Sequence, residues 1–176
     1  VPFASLKLLG KAAVGDVQVG DHGLVPLTAS FTDVVAFTTI SERLTPVEVF
    51  QLLNAFYDEV APIYKAHLGF IDRYLGDAVI GLFSDPDKAI GASLAVTDAA
   101  DVISLAHKVE KRVGFPFAIG TGVHSGDTLI GAVGCIERFD ITVISDAAAT
   151  GVSAVVIKKG RGSTQQRADE ALTEIR

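Results

Sequence analysis

The chain has 176 residues, of which 49% are hydrophobic, and it carries a formal net charge of −6. This length predicts one domain with a sizeable core, and the hydrophobic content excludes a disordered chain. Because the chain is acidic and shows no basic face before residue 158, nucleic acid is not expected as a partner. The single Cys135 excludes an internal disulfide and favours a reducing compartment, the cytoplasm.

The start of the chain shows no targeting or membrane signal. No apolar run reaches the roughly 18 residues of a membrane span, and no signal peptide opens the sequence. The chain begins with Val1 and contains no methionine, which favours a fragment of a longer protein whose upstream part is a sensor or membrane region. Residues 1–26 lack firm periodicity and are interpreted either as a linker to that region or as an N-terminal strand packed on the core.

The next hundred residues alternate between strand and helix patterns. Residues 27–35 predict a strand, and Thr45, Pro46 and Glu48 predict the start of a helix that continues to about residue 67. Residues 69–83 predict two short strands that meet at a tight turn. A second long helix is predicted from residue 86 to residues 111–114, and strands are predicted over residues 115–123 and 128–133.

The order of these elements predicts the fold class. A β-α-β-β-α-β sequence is typical of an α+β fold with a ferredoxin-like core, in which a mostly antiparallel sheet carries two long helices on one face. We divide the chain into an N-terminal segment or linker (1–26), a folded domain (27–157) and a C-terminal tail (158–176). Residues 155–161 are interpreted either as a last strand that carries the basic residues Lys158, Lys159 and Arg161, or as the start of a loose, solvated tail.

Two acids lie at the ends of predicted core strands. Asp33 ends the first strand and leads into small and hydroxyl residues, and Asp77 lies at the hairpin tip directly after Gly76. Two carboxylates at the ends of neighbouring strands can hold a pair of divalent ions. Taken singly, Asp33 is better explained as a capping acid at a strand–helix joint, and Asp77 as a turn acid; only as a pair do they favour a metal site.

Three stretches occur in the order and spacing of one protein family. Residues 31–38 (Phe-Thr-Asp-Val-Val-Ala-Phe-Thr) and 72–79 (Asp-Arg-Tyr-Leu-Gly-Asp-Ala-Val) resemble the two metal-site motifs of the class III adenylate/guanylate cyclase catalytic domain. Residues 120–147 resemble the later strands of the same family. The resemblance implies a lyase that converts a nucleoside triphosphate, with ATP favoured, to a 3′,5′-cyclic nucleotide and pyrophosphate.

The resemblance also implies cofactors, partners and site residues. Two Mg²⁺ or Mn²⁺ ions per site would bind the carboxylates of Asp33 and Asp77 and the backbone carbonyl of Val34. The active sites would lie between the subunits of a homodimer. The substrate-binding positions implied by the resemblance are Ala36, Phe37 and Thr38 for the phosphates, Gly76 at the turn, and Arg73 and Thr142, which are expected to lie together, for the base.

Two features leave other interpretations open. Arg73 stands where the family has Lys, and it is also explained as a solvated strand residue. The family's ribose-orienting Asn and transition-state Arg fall on Ala149 and Ser153, and the loss of one such donor costs about 10²–10³ in rate. The second interpretation is therefore a catalytically impaired module that dimerises and binds nucleotide, or the metal-binding half of a heterodimeric cyclase.

Overall fold

In the computed structural model, residue 10 and residues 16–135, 138–145 and 155–157 are described, the last two ranges by their backbone alone. The elements in chain order are the strand β1 (His22–Val34), the helices α1 (Phe37–Arg43) and α2 (Pro46–Ala66), the strands β2 (Phe70–Leu75) and β3 (Ala78–Phe83), the helices α3 (Pro86–His107) and α4 (Val109–Val113), and the strands β4 (Ile119–Cys135), β5 (Arg138–Ser145) and β6 (Val155–Ile157).

The strands form one six-stranded sheet in the order β2-β3-β1-β4-β5, with β6 paired to β4. The strand pairings are antiparallel. Helix α2 connects β1 to β2, and β3 lies between these two strands in the sheet. This is the split βαβ arrangement. The predicted α+β, ferredoxin-like fold is confirmed.

The two faces of the sheet differ. Buried residues of α2 and α3, among them Phe56, Val60 and Leu94, form one core cluster with residues of the sheet, and each such side chain contributes about 1.5–3 kcal/mol when buried. We call the opposite side the helix-free face, where the described core cluster contains no helix residue. Along β1 the residues toward the helices are Thr28, Ser30, Thr32 and Val34, and those on the helix-free face are Leu27, Ala29, Phe31 and Asp33.

Helix α2 begins as its sequence predicts. The side chain of Thr45 accepts a hydrogen bond from the backbone of Glu48, and the side chain of Glu48 accepts one from the backbone of Thr45, which completes a capping box. Helix α3 ends at His107, before the predicted 111–114, because Lys108 has a left-handed backbone with φ 52°. The remaining turn, α4, is a separate short helix.

Two strand boundaries also differ from prediction. β1 begins at His22, before residue 27, because its first residues pair with β4 from His22↔Gly131 onward. β4 is one strand of 17 residues, where the pattern predicts two strands separated by a polar stretch. Pairing with β1 across that stretch keeps it extended, so the neighbouring strand overrides local propensity.

Helix α3 is long and apolar enough to cross a membrane by length and composition. However, 61% of its most apolar window is buried inside the fold. Its apolar character is therefore explained by its place in the core.

Candidate functional site

Asp33 lies near the end of β1, in the middle of the sheet. Its side chain is exposed on the helix-free face. Its Cα partners are Ala78 in β3 and Gly120 in β4. A Cβ atom placed on Gly120 would lie 3.0 Å from Oδ1 of Asp33. The carboxylate of Asp33 therefore lies over the neighbouring strand, in space that the glycine leaves open.

Asp77 follows the turn between β2 and β3. Gly76 has a left-handed φ of 61°, which glycine adopts without steric penalty and which allows the tight reversal. Asp77 comes one residue before Ala78, the register partner of Asp33. Since neighbouring strands lie about 4.8 Å apart, the backbones of the two acids lie at adjacent strand ends. The metal site that the two carboxylates would share stays a prediction.

An open cleft of about 420 Å³ lies at this end of the sheet. Its lining does not include Asp77. The lining residues are Phe31, Asp33, Val34, Val35, Ala36, Gly120, Thr121 and Gly122. Because Gly120 and Gly122 carry no side chain, β4 presents backbone to the cleft and leaves room for a ligand beside Asp33.

The backbone turns sharply between β1 and α1. Ala36 has a left-handed conformation, φ 59° and ψ 33°, and it makes no side-chain cap to α1. Its carbonyl accepts the first helical bond, from the N–H of Ile40 at 3.1 Å. The N–H groups of Phe37 and Thr38 belong to the first helical turn, where no partner within the helix exists. The resemblance assigns these two amides, together with that of Ala36, to phosphate.

The donor set at this end of the sheet fits a hard divalent cation. Among the described residues, no group of three or more His, Cys, Asp or Glu side chains could hold a metal ion. A site built on Asp33 and Asp77 alone would therefore complete its shell with backbone carbonyl, water and phosphate oxygens. Mg²⁺ is usually held in that way, by one or two carboxylates together with substrate phosphates.

Arg73 lies on β2, next to an irregularity in the β2-β3 register between Ile71 and Arg73. Its Nε donates to Oδ2 of Asp72 at 2.7 Å, and the Asp72 side chain is almost fully buried while that of Arg73 is partly exposed. Arg73 pairs with Ile80, and Ile80 pairs with a residue of the helix-free face of β1. Arg73 is therefore an ion-paired strand residue on the same face as Asp33, and not a freely solvated one.

The structure does not bring Arg73 and Thr142 together within one chain. Thr142 pairs with Gly131 on β5, and three strands separate β5 from β2 in the sheet order. At about 4.8 Å per strand spacing, the two strands lie about 19 Å apart. The departures at Ala149 and Ser153 lie outside the described residues, and so do the basic residues Lys158, Lys159 and Arg161.

Two residues near the acids are not predicted from the sequence. Tyr57 of α2 donates a hydrogen bond to the carbonyl of Gly76, and Gly120 faces Asp33 across the β1-β4 pair. A glycine directly opposite an acid would have been a usable signal, but only once the strand register was known.

Comparison with known proteins identifies the family of the chain. The family model "Adenylate and Guanylate cyclase catalytic domain" matches residues 22–151. An adenylate cyclase of Anabaena cylindrica is 31% identical over 151 residues, which cover 84% of this chain and 30% of that protein. The chain spans less than a third of the length of the first curated relatives it matches.

Solved structures give the same assignment. The guanylyl cyclase Cya2 superposes with a TM-score of 0.63 at 27% identity, covering 76% of this chain and 69% of that one. The adenylyl cyclase CyaB from P. aeruginosa superposes with a TM-score of 0.63 at 26% identity, covering 75% of this chain and 71% of that one. The resemblance inferred from three sequence motifs is confirmed, and the chain belongs to the adenylate and guanylate cyclase catalytic domain family.

Proposed function

We propose that this chain is a nucleotidyl cyclase that converts a nucleoside triphosphate, with ATP favoured, to a 3′,5′-cyclic nucleotide and pyrophosphate. The observation that supports this most is the register between β1 and β3, in which Asp33 stands opposite Ala78, the residue after Asp77. Together with the family match over residues 22–151, that register supports a shared metal site for the two acids.

Each residue then has a separate part in the reaction. Asp33 and Asp77, with the carbonyl of Val34, would hold two Mg²⁺ or Mn²⁺ ions, which when bound supply Lewis-acid activation of the ribose 3′-hydroxyl and charge neutralisation at the phosphates. The first amides of α1 would donate to phosphate oxygens. The cleft beside Asp33 would orient the triphosphate, so that the protein contributes mainly positioning and charge screening.

We assign the base contact to Arg73. Arg73 shares the helix-free face with Asp33, and its ion pair with Asp72 would hold the guanidinium in one orientation. In a dimer with sites between subunits, the acids come from one chain and the base contacts from its partner. Arg73→Lys should then change the ranking of ATP, GTP, CTP and UTP, whereas an equal loss with all four would show a general phosphate or structural contact.

The proposal is tested by assaying all four nucleoside triphosphates with Mn²⁺, using the unmodified chain, Asp33→Asn and Asp77→Asn. Each substitution should lower the rate by about 10²–10³, because metal ligation supplies several kcal/mol of charge stabilisation. Asp58→Asn, an exposed acid of α2 outside the site, is the matched control and should retain full activity. Equal and measurable activity of all four proteins would exclude the metal role of the two acids.

The second candidate function is the metal-binding half of a heterodimer, which the residues Ala149 and Ser153 favour. We propose to mix the unmodified chain with a copy that carries Asp33→Asn, Ala149→Asn and Ser153→Arg. One site of the mixed dimer would then combine intact acids with both restored donors. Activity of the mixture well above that of either protein alone would support this candidate. No gain in activity on mixing would contradict this candidate, because the mixed dimer would then be no more complete than the unmodified homodimer.

A further inference from the structure

Helix α2 contacts the turn that carries Asp77. The hydroxyl of Tyr57 donates to the carbonyl oxygen of Gly76. That carbonyl and the N–H of Asp77 belong to one planar peptide unit, so the bond also orients the chain where it enters Asp77. The ring of Tyr57 packs against that of Tyr74 with 4.4 Å between centroids, which places the helix against both the strand and its turn.

The same helix contacts the strand that carries Asp33. The hydroxyl of Tyr64 shares a 2.7 Å hydrogen bond with Oγ1 of Thr32, the residue before Asp33. Thr32 in turn shares a 3.0 Å hydrogen bond with Thr121 of β4. Tyr64 is fully buried, so this chain of hydroxyls ties α2 to β1 and β4 beneath the exposed acid.

The two tyrosines are seven positions apart on α2. They therefore lie on one face of the helix, about 10 Å apart along its axis. The hydroxyl of Tyr57 is hydrogen-bonded to the residue before Asp77, and the hydroxyl of Tyr64 to the residue before Asp33. Burial raises the pKa of Tyr57, and the negative charge of Asp77 raises it by a smaller amount. Burial also raises the pKa of Tyr64. Both hydroxyls thus remain protonated and able to donate at neutral pH.

We propose that helix α2 sets the relative position of the two acids, with Tyr57 and Tyr64 as positioning residues. The inference rests on the proposed metal role of Asp33 and Asp77. Two ions in such a site lie about 3.5–4 Å apart, and Mg²⁺ requires near-ideal octahedral geometry. Small displacements of one acid relative to the other should therefore weaken metal binding while leaving the fold intact.

The test measures Mn²⁺ affinity by electron paramagnetic resonance, with inorganic tripolyphosphate at a fixed concentration, on the unmodified chain, Tyr57→Phe and Tyr64→Phe. Two controls separate positioning from stability. Tyr74→Phe removes the hydroxyl of the ring that packs against Tyr57. Val60→Ala removes buried packing atoms between the two tyrosines without removing either hydrogen bond. Hydrogen exchange of the peptides containing residues 76–78 and 32–34 is measured on every protein well below its melting temperature.

Each tyrosine variant should weaken Mn²⁺ affinity about tenfold and speed exchange at its own acid-bearing segment. Val60→Ala should lower the melting temperature but bind Mn²⁺ like the unmodified chain. Tyr74→Phe should change neither the melting temperature nor the Mn²⁺ affinity. Unchanged affinity in both tyrosine variants would overturn the inference, as would a loss in Val60→Ala that matches theirs. If Asp77→Asn binds Mn²⁺ and tripolyphosphate as well as the unmodified chain, the proposed metal role fails, and this inference fails with it.

Discussion

The hydroxyl of Tyr64 offers a sharp test of how the core is held together. It lies 2.9 Å from Oγ of Ser30 and 2.7 Å from Oγ1 of Thr32. Each of these two hydroxyls has a second hydrogen-bond partner, since Ser30 Oγ lies 3.1 Å from Ser93 Oγ and Thr32 Oγ1 lies 3.0 Å from Thr121 Oγ1. Tyr64→Phe removes the first two bonds but leaves the ring in place against its neighbours.

The magnitude follows from those contacts. Each net hydrogen bond contributes about 0.5–1.5 kcal/mol, and the remaining hydroxyl partners limit the cost of desolvation. We expect Tyr64→Phe to lower the free energy of unfolding by about 1–2 kcal/mol. For a domain of this size, that corresponds to a melting temperature about 2–8 °C lower. Phe fills the same volume, so no cavity contributes to the loss.

The pH dependence gives a second signature. Burial raises the pKa of Tyr64 above its ordinary value of 10.0. Because the folded-state pKa is the higher one, the stability from this group is complete below about pH 10 and is lost as the pH rises through the folded-state value. The difference in stability between the unmodified chain and Tyr64→Phe should therefore shrink above pH 10.

Thermal and denaturant unfolding, followed by circular dichroism at pH 7 and pH 10.5, measure both effects. Tyr74→Phe is the matched control, because Tyr74 is 48% exposed and loss of its hydroxyl should change stability by less than about 0.5 kcal/mol. If Tyr64→Phe is as stable as Tyr74→Phe at pH 7, the buried hydroxyls contribute nothing net and the reasoning is refuted.

Two further predictions concern packing and charge. Gly81→Ala places a Cβ 2.1 Å from the ring of Tyr64 and should destabilise the fold by about 1–3 kcal/mol, whereas Gly91→Ala in α3, whose Cβ would meet only a histidine side chain at 3.1 Å, should be neutral or stabilising in thermal unfolding. Hydrogen bonds from Thr45 lower the pKa of Glu48 to about 2, so its contribution to stability is present above about pH 4.5 and is lost as the pH falls toward 2. Glu48→Gln should flatten the decline in melting temperature between pH 5 and pH 2, and an unchanged slope would contradict the capping role.

The elements that the sequence predicts well depend on local chemistry. The capping box that starts α2 needs only Thr45 and Glu48, which are three positions apart. The turn before Asp77 needs a residue that tolerates a positive φ, and Gly76 supplies it. The acids themselves are recognisable because each follows a strand pattern. Because these signals are local in the sequence, the positions of Asp33 and Asp77 at strand ends could be predicted before the fold was known.

The boundaries that the sequence misses depend on partners distant in the chain. Residues 124–127 are polar or glycine, which is typical of a loop, yet β1 pairs with all of them. Lys108 ends α3 in a left-handed conformation, although lysine is a good helix former and gives no stop signal. The distance between the strands of Arg73 and Thr142 likewise depends on the strand order, which neither motif encodes.

The tyrosines of α2 show the same limit at the candidate site. A hydrophobic stripe predicts which side of a helix faces the core, and the side chains of Tyr57 and Tyr64 do lie toward the sheet. It does not predict whether a buried hydroxyl finds a partner. Here the partners are Thr32 and Gly76, which come from two segments on either side of α2 in the chain and meet the helix only after the sheet has formed. If Asp33 and Asp77 hold two ions as proposed, their separation matters, and substitutions in the helix that contacts both segments should lower catalysis.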